Sequence, residues 1–490
     1  MNILVVAAEV APFAKVGGLA DMTGALPRAW WADGHEVVIM LPLYGSIDRD
    51  LYGIEKTEHV VSVPVGHWTE YAEVWKSKLP ETEVPIYFLR SAEYFDRKGI
   101  YGYHEGFEDN DRRYLFFSRA AIETSKILGF QPDVIHAHDY HTAPCMPMLA
   151  TQYRHDPFFT RTAGVFTIHN MAFQGMYDPV RAMEYGGFPP SEFYPSSWYE
   201  HHGTFNAMKS GIMFADKVTT VSPTYSQEIR WTSEGMGLQG ALQHRAADLV
   251  GVLNGIDDTI WNPRVDRLIA VPYDASTLHK KHVNKLALLG ELGLPSDPQN
   301  ASLPVIGMVT RMTQQKGIPI MMRAVWDVLE QRRVRLVVLG SGVREYEDFF
   351  HRAEERFPDL VRFVRGYNEP LSHRIQAGSD LYLMPSQFEP CGLTQMYAMA
   401  YGTVPIVRSV GGLADTVSQY DRATRQGTGI CFHDYDESAM RSALDYALGL
   451  YDDEVHWQQV RANAMIQDNS ISVAARHYVE VFSWAQERHA

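Results

Sequence analysis

The sequence predicts two Rossmann-like α/β domains, each built on a parallel sheet, with a central interdomain cleft. Short β-rich apolar runs alternate with helix-length segments through both halves of the chain, and the alternation breaks once, from Asn262 to Asn300. The hexapeptide VGGLAD occurs at Val16–Asp21 and again at Val410–Asp415, each time shortly after a strand-like run. At 490 residues the chain also exceeds the usual single-core limit.

In the first half, strands are predicted over 3–8, 37–41, 86–89, 134–136, 165–168 and 218–221. Helices are predicted over 21–33, 112–128 and 223–230, the last capped by Ser222, whose hydroxyl oxygen can take a free amide of the first turn. The interruption is polar and proline-punctuated. It holds one predicted helix, 275–291, whose HKKHVNK run reads as a solvated face. A second βα series follows, with strands over 305–309, 336–339, 361–364, 381–384, 404–407 and 430–432, and helices over 318–331 and 345–357. The expected domains are 1–262, completed by a C-terminal helix 473–490, and 301–472, with 263–300 as hinge.

The net charge of −15 argues against a nucleic-acid or anionic-membrane surface, since such partners are held through clustered Lys and Arg. No apolar run approaches the length of a membrane span, and the chain opens on a strand, MNILVVAAEV, without a basic leader. A cytoplasmic or organelle-lumen location is expected. Three scattered cysteines, Cys145, Cys391 and Cys431, read as reduced thiols, and neither a metal nor a cofactor is expected.

Open α/β sheets bind ligands at the carboxyl ends of their strands, so chemistry is sought there. Paired glycines remove the Cβ atoms that keep a charged oxygen from backbone N–H groups, and the following helix turns its positive end toward that oxygen. The repeated hexapeptide is therefore read as two phosphate-handling turns. Lys15, just before Gly17 and Gly18, is either a point charge for a phosphate or an exposed lysine preceding a turn. The stretch His136-Ala137-His138-Asp139-Tyr140-His141 sets three imidazoles around one carboxylate; metal ligation and orientation of a sugar or loop both fit. His169-Asn170 closes the neighbouring strand in the same way.

In the second half, Arg311 and Lys316 flank a βα loop over a helix start, a clamp suited to a diphosphate. A merely basic surface loop is the alternative. Glu389 precedes a Pro-Cys-Gly turn whose amides at Gly392, Leu393 and Thr394 open a helix; an anion or sugar hydroxyls can dock there. The methionines of that helix read as core. The loop GFPPSEFYPSSWY, 187–199, either stacks on sugar rings or packs as surface.

The motifs KVGGLAD, HAHDYH, TIHN, TRMTQQKG and FEPCGLTQMYAMAYGTVPIVRSVGGLADTV, with SPTYSQEI, VLNGID and GTGICF, closely resemble the bacterial glycogen synthase and plastid starch synthase family over nearly the whole chain. The resemblance implies a GT-B glycosyltransferase that moves glucose from a nucleotide diphosphate sugar, ADP-glucose before UDP-glucose, to the non-reducing end of an α-1,4-glucan with retention. It implies that Lys15 and Gly18 contact the donor, Arg311 and Lys316 the diphosphate, and Asn254 and Tyr367 the nucleoside region. Glu389 with the turn Cys391, Gly392, Leu393 and Thr394 would meet the glucose and phosphates. Asp139 and His169 would lie near the glucosyl group and acceptor, and Asp21 and Asn170 complete the substrate-binding set. Val16 stands where the commoner motif has Thr, which leaves bacterial and plant-type affiliation open; the plant type would place the protein in the plastid stroma. Tyr397 stands where the broader retaining pattern has a second Glu, so no second carboxylate is invoked.

A nucleoside diphosphate must depart as the sugar carbon becomes oxocarbenium-like, so Arg311 and Lys316 are expected to stabilise charge that grows along the reaction. No carboxylate pair of the retaining-glycosidase kind is evident. The resemblance implies front-face displacement, in which the departing phosphate takes the acceptor proton, with His169 and Glu389 orienting hydroxyls. Closure of the domains would exclude water. Two rivals share the fold: a hexosyltransferase with another donor or a small acceptor, and a non-catalytic glucan-binding protein. A nicotinamide dehydrogenase is disfavoured, because no GxGxxG follows the first strand.

Overall fold

The first apolar run, Asn2–Val6 (β1), is buried from Ile3 onward and forms the middle strand of a nine-stranded sheet. The computed structural model describes residues 1–103, 105–297, 302–331 and 333–489. The chain divides into two compact units, Met1–Gly255 with Ile471–Ala490, and Ile256–Ser470.

In the first unit the remaining strands of the main sheet are Glu36–Pro42 (β2), Glu55–Val65 (β3), Trp68–Lys78 (β4), Pro85–Arg90 (β5), Val134–His138 (β6), Ala163–Ile168 (β7), Lys217–Thr220 (β11) and Leu249–Gly251 (β12). Their order is β12-β11-β7-β6-β1-β2-β5-β4-β3. All neighbours run parallel except the edge pairs β3 with β4 and β4 with β5. This hairpin departs from the expected all-parallel pattern. Its strands alternate buried and exposed residues, as a sheet wetted on one face does, and carry no continuous apolar run. A small sheet, Met176–Tyr177 (β8), Glu200–His201 (β9) and Thr204–Asn206 (β10), lies over a ring cluster of Tyr177, Phe188, Tyr199 and Phe205. Within the loop 187–199, Phe188 and Tyr199 are thus core, whereas Tyr194 and Trp198 are exposed. Ser222 caps its helix as expected, accepting from Tyr225 N. The helix Ile471–Gln486 returns to this unit, where Ala475 O accepts from Trp30 Nε1 at 3.0 Å and Tyr478 and Phe482 pack against the same indole.

The second unit carries six parallel strands, Val305–Val309 (β13), Arg335–Gly340 (β14), Val361–Arg365 (β15), Leu381–Met384 (β16), Val404–Arg408 (β17) and Ile430–Phe432 (β18), in the order β15-β14-β13-β16-β17-β18. Its chain enters and leaves side by side: Ile256 N donates to Asn469 O at 2.8 Å. The unit starts at Ile256, ahead of the expected boundary, and the stretch expected as a hinge is integral to it. Positions 298–300 of that stretch lie outside the described residues. The Trp261 ring is stacked between His373 and Tyr397, with centroids 3.7 and 3.9 Å away. Asp266 accepts from the Tyr401 hydroxyl at 2.5 Å and lies 2.8 Å from His373 Nδ1.

The HKKHVNK run is a solvated face only in part: His279, Lys280 and His282 are exposed as expected. Lys281, Asn284 and Lys285 are buried, while Val283 is exposed. Lys281 Nζ donates to Gln376 O, Ala377 O and Thr403 Oγ1 at 2.7–2.9 Å, capping the last carbonyls of the helix Glu369–Gly378. Lys285 Nζ pairs with Asp380 at 2.7 Å and donates to Leu303 O. Charge runs mislead where helix-end carbonyls need donors that only a long cationic side chain can bring into the interior.

Candidate active site

In the first unit the candidate residues gather at the carboxyl ends of β1, β6 and β7. The glycine turn after β1 is held by a residue the sequence reading passed over. Glu9, 4% exposed, takes Val16 N (2.6 Å) and Gly17 N (3.1 Å) on Oε2 and the Tyr101 hydroxyl on Oε1. Burial raises its pKa, opposed by these three donors. Two amides of the turn read as phosphate-handling are therefore occupied by the protein's own carboxylate. Gly18, the first residue of the helix Gly18–Ala32, is exposed, and Gly17 has open space where a Cβ would sit. Lys15 pairs with Asp21 at 2.6 Å in front of this turn. The one signal for Glu9 in the sequence is a carboxylate directly after the predicted strand 3–8; its amide partners leave no trace there.

Asp139 follows β6 with φ of +55°, a left-handed conformation that Asp tolerates better than most residues. Its Oδ1 accepts His169 N at 2.7 Å, and Asn170 N also bonds it. Burial raises its pKa to about 7 despite these amides, with the charge of Glu9 adding to the rise. Burial also holds the His169 imidazole down to about 3, so it is neutral. His138 Nδ1 lies 3.0 Å from His169 Nε2, and His136 Nε2 lies 2.6 Å from Thr167 Oγ1. Asn170 Oδ1 takes Ala172 N at 3.0 Å. Asn254 is buried after β12 with its Oδ1 unpaired among the described residues.

In the second unit, the loop after β13 carries Arg311, exposed, and Lys316, whose Nζ is 2.6 Å from Glu389 Oε2. Ser386 Oγ donates to the same oxygen at 3.1 Å. Gly317, at φ +74°, brings this loop onto the end of β16; a Cβ there would meet Pro385 O at 1.9 Å. Cys391 is buried, and Gly392, Leu393 and Thr394 are half-buried at the start of the helix Thr394–Ala400. The Gln395 side chain ties this turn from below through Cys391 O and Gly392 O. Tyr367 is exposed after β15, in a different unit from Asn254.

The second VGGLAD copy does not do what the first does. A Cβ on Gly411 would lie 1.9 Å from Glu389 O, and one on Gly412 would lie 2.4 Å from Cys391 Cα. Gly412 N already donates to Glu389 O and Pro390 O. These glycines let a helix pass under the Glu389–Cys391 backbone, so the copy supports the neighbouring turn and offers no open phosphate cradle.

Two Rossmann-like units with cations, a glycine turn and a carboxylate at their strand ends are the parts of a GT-B glycosyltransferase. Residues 2–244 match the family described as Starch synthase catalytic domain, and residues 296–462 match Glycosyl transferases group 1. The chain is 41% identical to glycogen synthase of Syntrophotalea carbinolica over 490 residues, covering 100% of both, and 41% identical to that of Bacillus subtilis, covering 98% of both. Its fold is similar to the catalytic domain of starch synthase IV from Arabidopsis thaliana bound to ADP and acarbose, at a TM-score of 0.91 and 35% identity over 99% of both chains. Sucrose-phosphate synthase from Thermosynechococcus elongatus, at 0.60 and 16%, shares the fold. The chain belongs to the glycogen and starch synthase family of glycosyltransferases.

Proposed function

We propose that this protein transfers glucose from ADP-glucose to the non-reducing end of an α-1,4-glucan with retention of configuration. The observation that carries the reading is the Lys316–Glu389 pair, which sets a cation and a carboxylate at adjacent strand ends of the second unit. Lys316 and Arg311 stabilise the departing diphosphate, whose charge grows toward the transition state. Glu389 and His169 orient sugar hydroxyls, and Asp139 stands at the glucosyl side. Lys15, Gly18 and Asp21 meet the donor from the first unit; Asn254 and Tyr367 serve the nucleoside; the turn 391–394 receives glucose and phosphate. The full-length relatives named glycogen synthase support the glucan acceptor, and the starch synthase solved with ADP favours the adenine nucleotide. A cytoplasmic location belongs to the same proposal. Among the described residues, no helix is long and apolar enough to cross a membrane.

Purified protein is assayed with ADP-glucose and with UDP-glucose, each with and without a glycogen primer. Primer-dependent incorporation from ADP-glucose is expected. Incorporation from UDP-glucose alone overturns the donor assignment; binding of glycogen with no transfer from either donor overturns the catalytic reading.

A further inference from the structure

We propose that His138 is a positioning residue that fixes His169 as its Nδ1–H tautomer, so that His169 meets a substrate oxygen as a hydrogen-bond donor. The identity of that oxygen, on the glucosyl donor, rests on the function proposed above; the tautomer does not.

The argument begins with register. In the parallel pair β6 and β7, His138 stands opposite Thr167, which brings its ring beside His169 two residues on. The 3.0 Å separation of His138 Nδ1 and His169 Nε2 requires one proton between them. Burial holds both rings neutral, with one proton each.

Two arrangements satisfy the contact. If His169 donates, the His138 proton sits on Nε2, which is fully buried and has no protein acceptor among the described residues. If His138 donates from Nδ1, its Nε2 is only a bare lone pair. An orphaned buried N–H costs more than an under-used acceptor, so the second arrangement holds. His169 then receives on Nε2 and carries its own proton on Nδ1, which makes no bond within the protein among the described residues but, unlike His138 Nε2, is not sealed from solvent, because the His169 side chain is half-buried; water satisfies it until a substrate oxygen does. The adjacent imidazole obeys the same rule: His136 Nδ1 is buried without a partner among the described residues, so Nε2 carries the proton toward Thr167 Oγ1, and Thr167 Oγ1 lies 2.6 Å from Thr219 Oγ1. A His169 so prepared cannot remove a proton through Nδ1. It grips a hydroxyl or phosphate oxygen instead.

The test is nitrogen NMR of the full-length protein labelled at histidine, without substrate, with the His169 pair identified by its loss in H169N. A protonated Nδ1 and a bare Nε2 at neutral pH are expected; a proton on Nε2 overturns the proposal. In H138L the fixed pattern gives way to a tautomer mixture, and kcat falls about 10–100-fold, the range for losing an outer partner of a functional imidazole. H138N, which can donate from the position of the ring Nδ1, restores both. Wild-type kcat in H138L with an unchanged His169 spectrum also overturns the assignment. Failure of the transferase assay with the expected spectrum would sink the proposed function and leave the tautomer standing.

Discussion

Lys316 Nζ and Glu389 Oε2 stand 2.6 Å apart and join the loop after β13 to the turn after β16. Both side chains are largely buried, at 18% and 8% exposure, so the pair holds two loops in one geometry and aims the cation before any anion arrives. Lys316→Ala is expected to lower kcat by about 10²–10³-fold, the scale of losing one preorganised electrostatic contact. Circular dichroism should show the fold retained; wild-type turnover would remove the role given to Lys316.

Asp139 supplies a pH-dependent prediction. Its folded-state pKa of about 7 lies above the ordinary 3.8, so the folded protein binds more protons than the unfolded chain between these values. Its contribution to stability is present at low pH and lost as pH rises through about 7. Asp139→Asn tolerates the left-handed backbone and stays neutral. The variant should gain Tm relative to wild type on going from pH 5 to pH 8, while its activity falls. A Tm difference that does not change with pH would contradict the buried-carboxylate account.

The two VGGLAD copies should respond differently to a methyl group. Gly17→Ala meets open space and should cost under about 1 kcal/mol. Gly412→Ala drives its Cβ to 2.4 Å from Cys391 Cα and should cost about 2–3 kcal/mol, as overpacking does. Denaturant midpoints compare the two directly, and equal costs would mean that the copies play one structural role.

Lys281→Met tests the buried lysine. Methionine fills the space but leaves Gln376 O, Ala377 O and Thr403 Oγ1 without their shared donor. A loss of about 2 kcal/mol or more is expected, read as a lower denaturant midpoint. Stability within experimental error of wild type would show that the three oxygens find other partners.

Most of the parallel strands were legible because they are short, nearly continuous apolar runs; the edge strand β12, three residues long and half-buried after Leu249, was not among the predicted ones. Strands β13, β16 and β18 fall on the predicted residues. The hairpin β3–β4 was not, because half of its residues face water and dilute the apolar signal. At the site, Asp139, His169, Lys316 and Glu389 could be chosen as strand-end residues, and the structure bonds them in two sets, Asp139 with His169 and Lys316 with Glu389. Glu9 and His138 escaped as individuals, since their roles depend on which amide or ring lies opposite, information that resides in register and turn geometry. Lys281 misled because its local pattern is that of a surface helix and its partners are 95–122 residues away.

The adjacent entry and exit of the second unit, where Ile256 N meets Asn469 O, has a consequence for biosynthesis. One uninterrupted stretch of chain supplies that unit, so it can close on the ribosome while the first unit still lacks its last helix. Until Ile471–Gln486 emerges, the Trp30 indole waits uncovered for Tyr478 and Phe482. A transcript cut short before that helix would yield a finished second lobe attached to an N-terminal lobe with a bare aromatic face, a substrate for chaperones and proteases.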